Sequence, residues 1–199
     1  MKLKIYKAIF IILLLAGIVV IACIAVKQWN SMENEKENQE VVEAFSNLQT
    51  TETENEEPVK LKGYDVIGIV TIPKINIQYP ILSIETSNPE ETKEPMQYGI
   101  VRYWGGNVND YGNLSIAGHN NYNGTMFGKT KNLEIGDIVE LTDLTKTTMQ
   151  YEIYDIFVTD PNDVRILATN DENIREVTLI TCTNGNRERL ILKAKQIIE

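Results

Sequence analysis

Val177-Thr178-Leu179-Ile180-Thr181-Cys182 is a run of strand-forming residues that ends in a cysteine, and Arg189-Leu190-Ile191-Leu192 opens a second such run seven residues later. The polar stretch Thr183-Asn184-Gly185-Asn186 between them predicts two strands joined by a compact loop. Residues 66–72, 75–82, 114–117, 138–141 and 149–158 have the same β-rich character and are separated by Gly, Pro, Asn and Asp. Helical pattern is confined to residues 125–133 and a turn near 89–93. Short strands at this spacing, without alternating helices, predict a mostly β fold, a small mixed or antiparallel barrel. No repeat, Gly-rich phosphate loop or Cys-x-x-Cys pair is present.

The chain has 199 residues, room for one domain with appendages, and a formal net charge of -9. That balance supplies no basic stripe and argues against a nucleic-acid partner. The acid is concentrated: residues 31–60 hold nine glutamates against two lysines, so the remainder is nearly neutral. Residues 8–26 are uncharged and almost wholly apolar, about 28 Å of helix at roughly 1.5 Å per residue, enough to cross a hydrocarbon core. Lys2, Lys4 and Lys7 precede this span and only Lys27 follows closely, with Tyr6 and Trp29 at its edges. The asymmetry predicts a single-pass anchor in the cell membrane, with residues 1–7 cytoplasmic and everything after Lys27 outside. A cleaved signal peptide is the competing reading, but its apolar core is usually about 7 to 15 residues and no small-x-small site follows here. Val20-Ile21-Ala22-Cys23 loosely matches a lipoprotein processing site, yet the apolar run continues past Cys23. Residues 27–60 read as an acidic, solvated extracellular linker. A short helix over 40–48 would be too short to stand alone. The globular body is expected over residues 61–199.

The exported part contains one cysteine, Cys182, and the chain one histidine, in Ser115-Ile116-Ala117-Gly118-His119. An internal disulfide is therefore impossible, and Cys182 is buried and inert, paired between chains, or reactive. Taken singly, a cysteine ending an apolar strand is core filling, a histidine is structural, and an arginine marks a solvated strand edge. Together, each at the end of a β-like run, they supply what a thiol acyl-transferase needs. The thiol attacks, the imidazole moves a proton, and a planar guanidinium can present two N–H groups to a developing oxyanion. Alternation does not choose between Arg187 and Arg189, which share a face if their strand begins early.

Thr178-Leu179-Ile180-Thr181-Cys182, followed by Arg189-Leu190-Ile191-Leu192 and preceded some sixty residues earlier by Ile116-Ala117-Gly118-His119-Asn120, resembles the sortase transpeptidases of Gram-positive bacteria. The similarity covers roughly residues 66–195. Gly124-Thr125-Met126-Phe127 and Leu133-x-x-Gly136-Asp137 are closest to the class B type. The lack of a second apolar span after the body, and of an aspartate-aromatic lid motif in the linker, separates it from the pilin-polymerising class. The resemblance implies a closed eight-stranded β-barrel with short helices. It implies that Cys182 forms a thioester with the carbonyl of a Thr-Gly type bond, in a Leu-Pro-x-Thr-Gly-like sorting signal at the C-terminus of a secreted protein. His119 would protonate the departing amine. Arg189, which opens its apolar run as the family's arginine does, would bind substrate or oxyanion, with Arg187 in reserve and the backbone N–H of Thr183 as a second donor. Thr181 and Ala117 are further candidates for these contacts. The acceptor would be an amine of a peptidoglycan precursor or a pilin. No cofactor is expected, since Glu134, Asp137 and Asp171, which could suggest a calcium site, read as solvated carboxylates. Two other functions share these features: a cysteine hydrolase that cuts the signal without transfer, and a catalytically silent, membrane-tethered adapter barrel.

Overall fold

The chain runs α1 (Lys2–Asn47), β1 (Lys60–Leu61), β2 (Tyr64–Ile72), β3 (Ile77–Leu82), β4 (Ile100–Trp104), β5 (Gly112–Ala117), β6 (Ile138–Asp143), β7 (Thr148–Thr159), β8 (Arg175–Thr183) and β9 (Glu188–Gln196). The structure, a computed structural model, describes residues 2–47, 58–84, 89–169, 171 and 173–198. Eight strands follow one another in the order β2-β3-β4-β5-β8-β9-β7-β6, and β6 returns to β2 over Gly68↔Asp143 to Thr71↔Glu140. The barrel is therefore closed and mostly β, and closure removes the open edges that an eight-stranded sheet would otherwise expose. β1 adds a two-residue ladder to β2.

Side-chain alternation explains why the strand runs look continuously apolar. Leu114, Ile116, Val177, Leu179 and Leu192 fill the barrel interior. Their neighbours Ala117, Ile180 and Ile191 face outward into a second buried cluster with Val101 and Ile166. Strands buried on both faces lose the polar half of the alternating pattern.

Contacts divide the chain into two units, Met1–Glu37 and Asn38–Glu199. The first is helical, and it contains the one described helical stretch long and apolar enough to cross a membrane, with a mean hydropathy of 3.4 and its side chains exposed. In the second unit, the segment read from sequence as solvated linker is helical through Asn47, and residues 38–47 pack on the barrel. Val42 and Phe45, one helical turn apart, are 5% and 1% exposed. Lys146 Nζ lies 3.4 Å from the centre of the Phe45 ring and also donates to the Phe45 carbonyl. This tertiary burial supplies the stability that a short isolated helix lacks. Residues 48–57 of the expected linker lie outside the described residues.

Two further local expectations change. Residues 125–133 form a single 3₁₀ turn at Thr130–Asn132 instead of a longer helix, because Met126 takes a left-handed φ of 50° and breaks helical continuity. β4 was not anticipated: Arg102, Tyr103 and Trp104 follow only two aliphatic residues, and a register shift at Arg102/Trp104 spoils the two-residue period.

Candidate active site

β5 and β8 run parallel and in register from Gly112↔Arg175 to Ala117↔Ile180. Gly118 carries the ladder onward by donating its N–H to the Ile180 carbonyl at 3.1 Å. The same two-residue rhythm then brings His119 level with Cys182, on the outer face that carries Ala117 and Ile180. On the other side of β8, Cys182 is the direct antiparallel partner of Arg189. Because the Ile180 carbonyl points at β5, alternation points the backbone groups of Cys182 there too. Cys182↔Arg189 is thus a non-hydrogen-bonded pair, the type with Cα atoms only about 4.5 Å apart. His119, two residues past the end of β5, Cys182 on β8 and Arg189 on β9 make one row at neighbouring strand ends.

The row opens on a cleft of about 550 Å³. Ala117 and Ile180 contribute the strand surface beneath it, Tyr103 and Met96 come from β4 and the connection before it, and Ile166 and Leu167 from the β7–β8 connection. That connection is fastened from the barrel side. The buried Asn113 donates Nδ2 to the carbonyls of Ile166 (3.3 Å) and Leu167 (3.1 Å), while Thr178 Oγ1 donates to Asn113 Oδ1 at 2.9 Å. Lys193 Nζ reaches the next carbonyl, Ala168, at 3.3 Å, and Thr169 Oγ1 donates to the Glu176 carboxylate at 2.9 Å. Asp163 also lines the cleft, but its carboxylate is committed to Arg165 (Nε 2.8 Å, Nη2 2.9 Å) and to Thr159 Oγ1 (2.6 Å). Hydrogen bonding from Arg165, then from Thr159, holds that carboxyl well below the usual carboxylate range.

His119 is half-buried, and loss of solvent pulls its pKa below the ordinary 6.5, favouring the neutral imidazole. Cys182 is a free, half-buried thiol that borders the cleft and is not sealed in the core. Arg189 lines the same cleft and donates Nη1 to the carbonyls of Asn186 and Glu188, both at 3.2 Å. Arg187 lies in the turn before β9, exposed, with Nε donating to the Asn184 carbonyl at 3.1 Å. Left-handed φ angles at Asn184, Gly185 and Asn186 confine that turn and delay β9 to Glu188, so the two arginines do not share a strand face.

Thr181 is buried and donates Oγ1 to the Gly118 carbonyl at 2.7 Å, tying the residue before the thiol to the residue before the imidazole. Ala117 is buried at the cleft. Thr183 pairs with Glu188 and does not line the cleft; alternation turns its backbone N–H toward β9. Glu134 and Asp137 each lie 2.9 Å from Lys74 Nζ, and Asp171 Oδ1 accepts from the Asn173 N–H at 2.8 Å. Among the described residues no group of three or more carboxylate, imidazole or thiol side chains could hold a metal ion. Sequence reasoning missed Asn113, Tyr103 and the β7–β8 wall. The signal for Asn113 was present: in Asn113-Leu114-Ser115-Ile116 the polar residues alternate with core positions and mark a covered outer face.

A family model described as the Sortase domain matches residues 70–197. The chain is 25% identical over 164 residues to Sortase A of Bacillus anthracis, spanning 81% of this chain and 73% of that protein. It is 28% identical over 133 residues to Sortase D of Bacillus subtilis (strain 168), spanning 67% and 62%. The structure of a Clostridium perfringens Sortase D5 transpeptidase superposes with a TM-score of 0.63 at 31% identity, covering 83% of this chain and 98% of that one. These three relatives carry A and D designations, not the B to which the stretches after His119 point, and the chain takes no class from them. The chain belongs to the sortase family of cysteine transpeptidases.

Proposed function

We propose that this protein is a membrane-anchored transpeptidase that cleaves a Leu-Pro-x-Thr-Gly-like sorting signal at the C-terminus of secreted proteins and passes the acyl group to an amine of the cell wall or a pilin. The observation that carries this reading is the row His119, Cys182, Arg189 around one cleft. The Cys182 thiolate adds to the carbonyl carbon of the Thr-Gly bond, and the negative charge moves to the carbonyl oxygen. The guanidinium of Arg189, one strand away, receives it, a role supported by Nε and Nη2 not being spent on the Nη1 bonds to Asn186 and Glu188. The C–N bond breaks as His119, protonated for this step, gives its proton to the departing amine, leaving a thioester and a neutral imidazole. Burial makes that imidazolium scarcer but a stronger acid, which suits an amine leaving group. An incoming amine then attacks the thioester, its proton passes to His119, and the C–S bond breaks to restore the thiolate. Water in place of the amine gives the acid, the hydrolytic side reaction.

The apolar parts of the cleft, Ala117, Ile180, Met96, Tyr103, Ile166 and Leu167, suit the Leu-Pro portion of such a signal, with the Thr-Gly bond laid against the polar row. The test is intact-mass analysis of the full-length chain in detergent with Leu-Pro-x-Thr-Gly peptides, with and without a short amine. An acyl adduct on Cys182 that converts to amide in the presence of the amine is expected. A product that stays acid at every amine concentration would assign a hydrolase, and an unmodified thiol across the peptide panel would remove the thioester reading.

A further inference from the structure

We infer that Asn120 is a positioning residue, holding the backbone of Cys182 against the imidazole strand through a side-chain hydrogen bond that stands in for a missing rung of the β5–β8 ladder. The inference rests on the assignment of Cys182 as the nucleophile. In the parallel ladder, Gly118 N–H donates to the Ile180 carbonyl, and the next donor in that rhythm belongs to residue 120, with the Cys182 carbonyl as its acceptor. The main chain does not stay in the sheet to supply it. It turns away after His119 to form an antiparallel bridge between Asn120 and Met126, with Phe127 N–H donating to the His119 carbonyl at 3.0 Å. The side chain completes the rung: Asn120 Nδ2 donates to the Cys182 carbonyl at 2.8 Å.

This rung lies where the strand is weakest. Cys182 is the penultimate residue of β8, followed by a turn with three consecutive left-handed residues, and strand ends of this kind open most readily. Upstream, the two strands are tied by the Gly118 N–H bond and by Thr181 Oγ1 on the Gly118 carbonyl. Without Asn120 the last tie to β5 precedes the nucleophile, and Cys182 is held only through its neighbours Thr181 and Thr183 in the ladder to β9. With it, the thiol-bearing residue is bracketed on both edges, by Asn120 toward β5 and by the Arg189 strand toward β9. Only a short side chain carrying an N–H donor does this. A carboxylate of the same shape would set oxygen against oxygen.

The test is single-turnover acylation of Cys182 in the full-length chain in detergent, read by intact mass against concentration of a Leu-Pro-x-Thr-Gly peptide. Asn120→Ala is expected to lower the maximal acylation rate about tenfold, the worth of one lost positioning hydrogen bond, with half-saturation within about twofold of wild type. Asn120→Asp, equal in shape but an acceptor, is expected to be slower still, with circular dichroism melts of both variants matching the wild type. Asn120→Ala acylating at the wild-type rate, Asn120→Asp matching wild type, or a loss confined to half-saturation would each overturn the assignment. A wild type that forms no adduct removes the nucleophile reading itself, and the proposal with it, an outcome distinct from wild-type acylation unchanged in the variants.

Discussion

A guanidinium paired across two strands with a thiol acts through its fork as much as its charge. Arg189 can keep Nη1 on the carbonyls of Asn186 and Glu188 while aiming other N–H groups at the cleft; a lysine ammonium is a single point and cannot do both. Arg189→Lys should therefore slow Cys182 acylation by roughly 10²-fold, the scale of a lost oxyanion donor, whereas Arg187→Lys, in the exposed turn, should stay within about twofold. Time-resolved intact mass on both variants decides this, and equal losses would refute the assignment of roles. His119 gives a prediction in pH. Its folded-state pKa lies below the ordinary 6.5 because burial disfavours the charged ring, so between those two values the unfolded chain binds more protons. The neutral imidazole's contribution is fully present above 6.5 and is lost as pH falls below it toward the folded value. Urea unfolding from pH 8 to pH 5 should show wild-type stability falling more steeply below pH 6.5 than that of His119→Gln; parallel curves would show that the ring is not desolvated.

The segment at residues 38–47 shows how an element read as tether becomes part of the fold. Phe45 is 1% exposed beneath Lys146, and Asn38 Nδ2 donates to the Tyr98 carbonyl at 2.6 Å, next to the connection that brings Met96 to the cleft. Phe45→Ala should cost about 3 to 5 kcal/mol by urea denaturation, the range for emptying a buried aromatic site. A protein trimmed to begin at residue 61 should melt well below one that begins before residue 38, and equal melting temperatures would mean that the packing carries no stability. At the cleft wall, Asn113→Leu keeps the forked side-chain shape but removes the amide and strands the Ile166 and Leu167 carbonyls. It should raise the half-saturating peptide concentration more than it lowers the maximal acylation rate, measured in the same assay. These elements also mark what was legible in the sequence. β8 and β9 were readable because Val177 to Ile180 and Leu190 to Leu192 are dense in β-branched and aliphatic residues, with Ile180 and Ile191 apolar on the outer face as well, and the thiol, imidazole and guanidinium stand at the ends of such runs. β4 was not, because a register shift interrupts its period, and neither was the docked helix, because it packs on the barrel through Asn38, Val41, Val42 and Phe45 in a segment whose polar composition reads as solvated. The cleft wall at Ile166 and Leu167 is a connection whose fixity comes from side chains on β5 and β9, a long-range dependence that local pattern does not carry.

At the scale of the whole molecule, an apolar helix near the N-terminus joined to a closed barrel makes the side of the membrane the first condition on the proposed function. On the proposed function, a sorting signal and an acceptor amine reach the row at His119, Cys182 and Arg189 only with the barrel outside the cell. The charge asymmetry favours that orientation: Lys2, Lys4 and Lys7 resist translocation, while the segment after the span holds Lys27 and then a run of glutamates that contribute little to the choice. Tyr122, fully exposed two residues after Asn120, offers a reporter position on the barrel. In a Cys23→Ala, Cys182→Ala background, Tyr122→Cys should react with a membrane-impermeant maleimide on intact cells, whereas Lys2→Cys should react only after permeabilisation. Replacing Lys2, Lys4 and Lys7 together by Gln should lower the fraction of Tyr122→Cys labelled from outside, since removing the lysines before the span removes the bias. Labelling of Lys2→Cys on intact cells with Tyr122→Cys protected would invert the topology and overturn the proposed function.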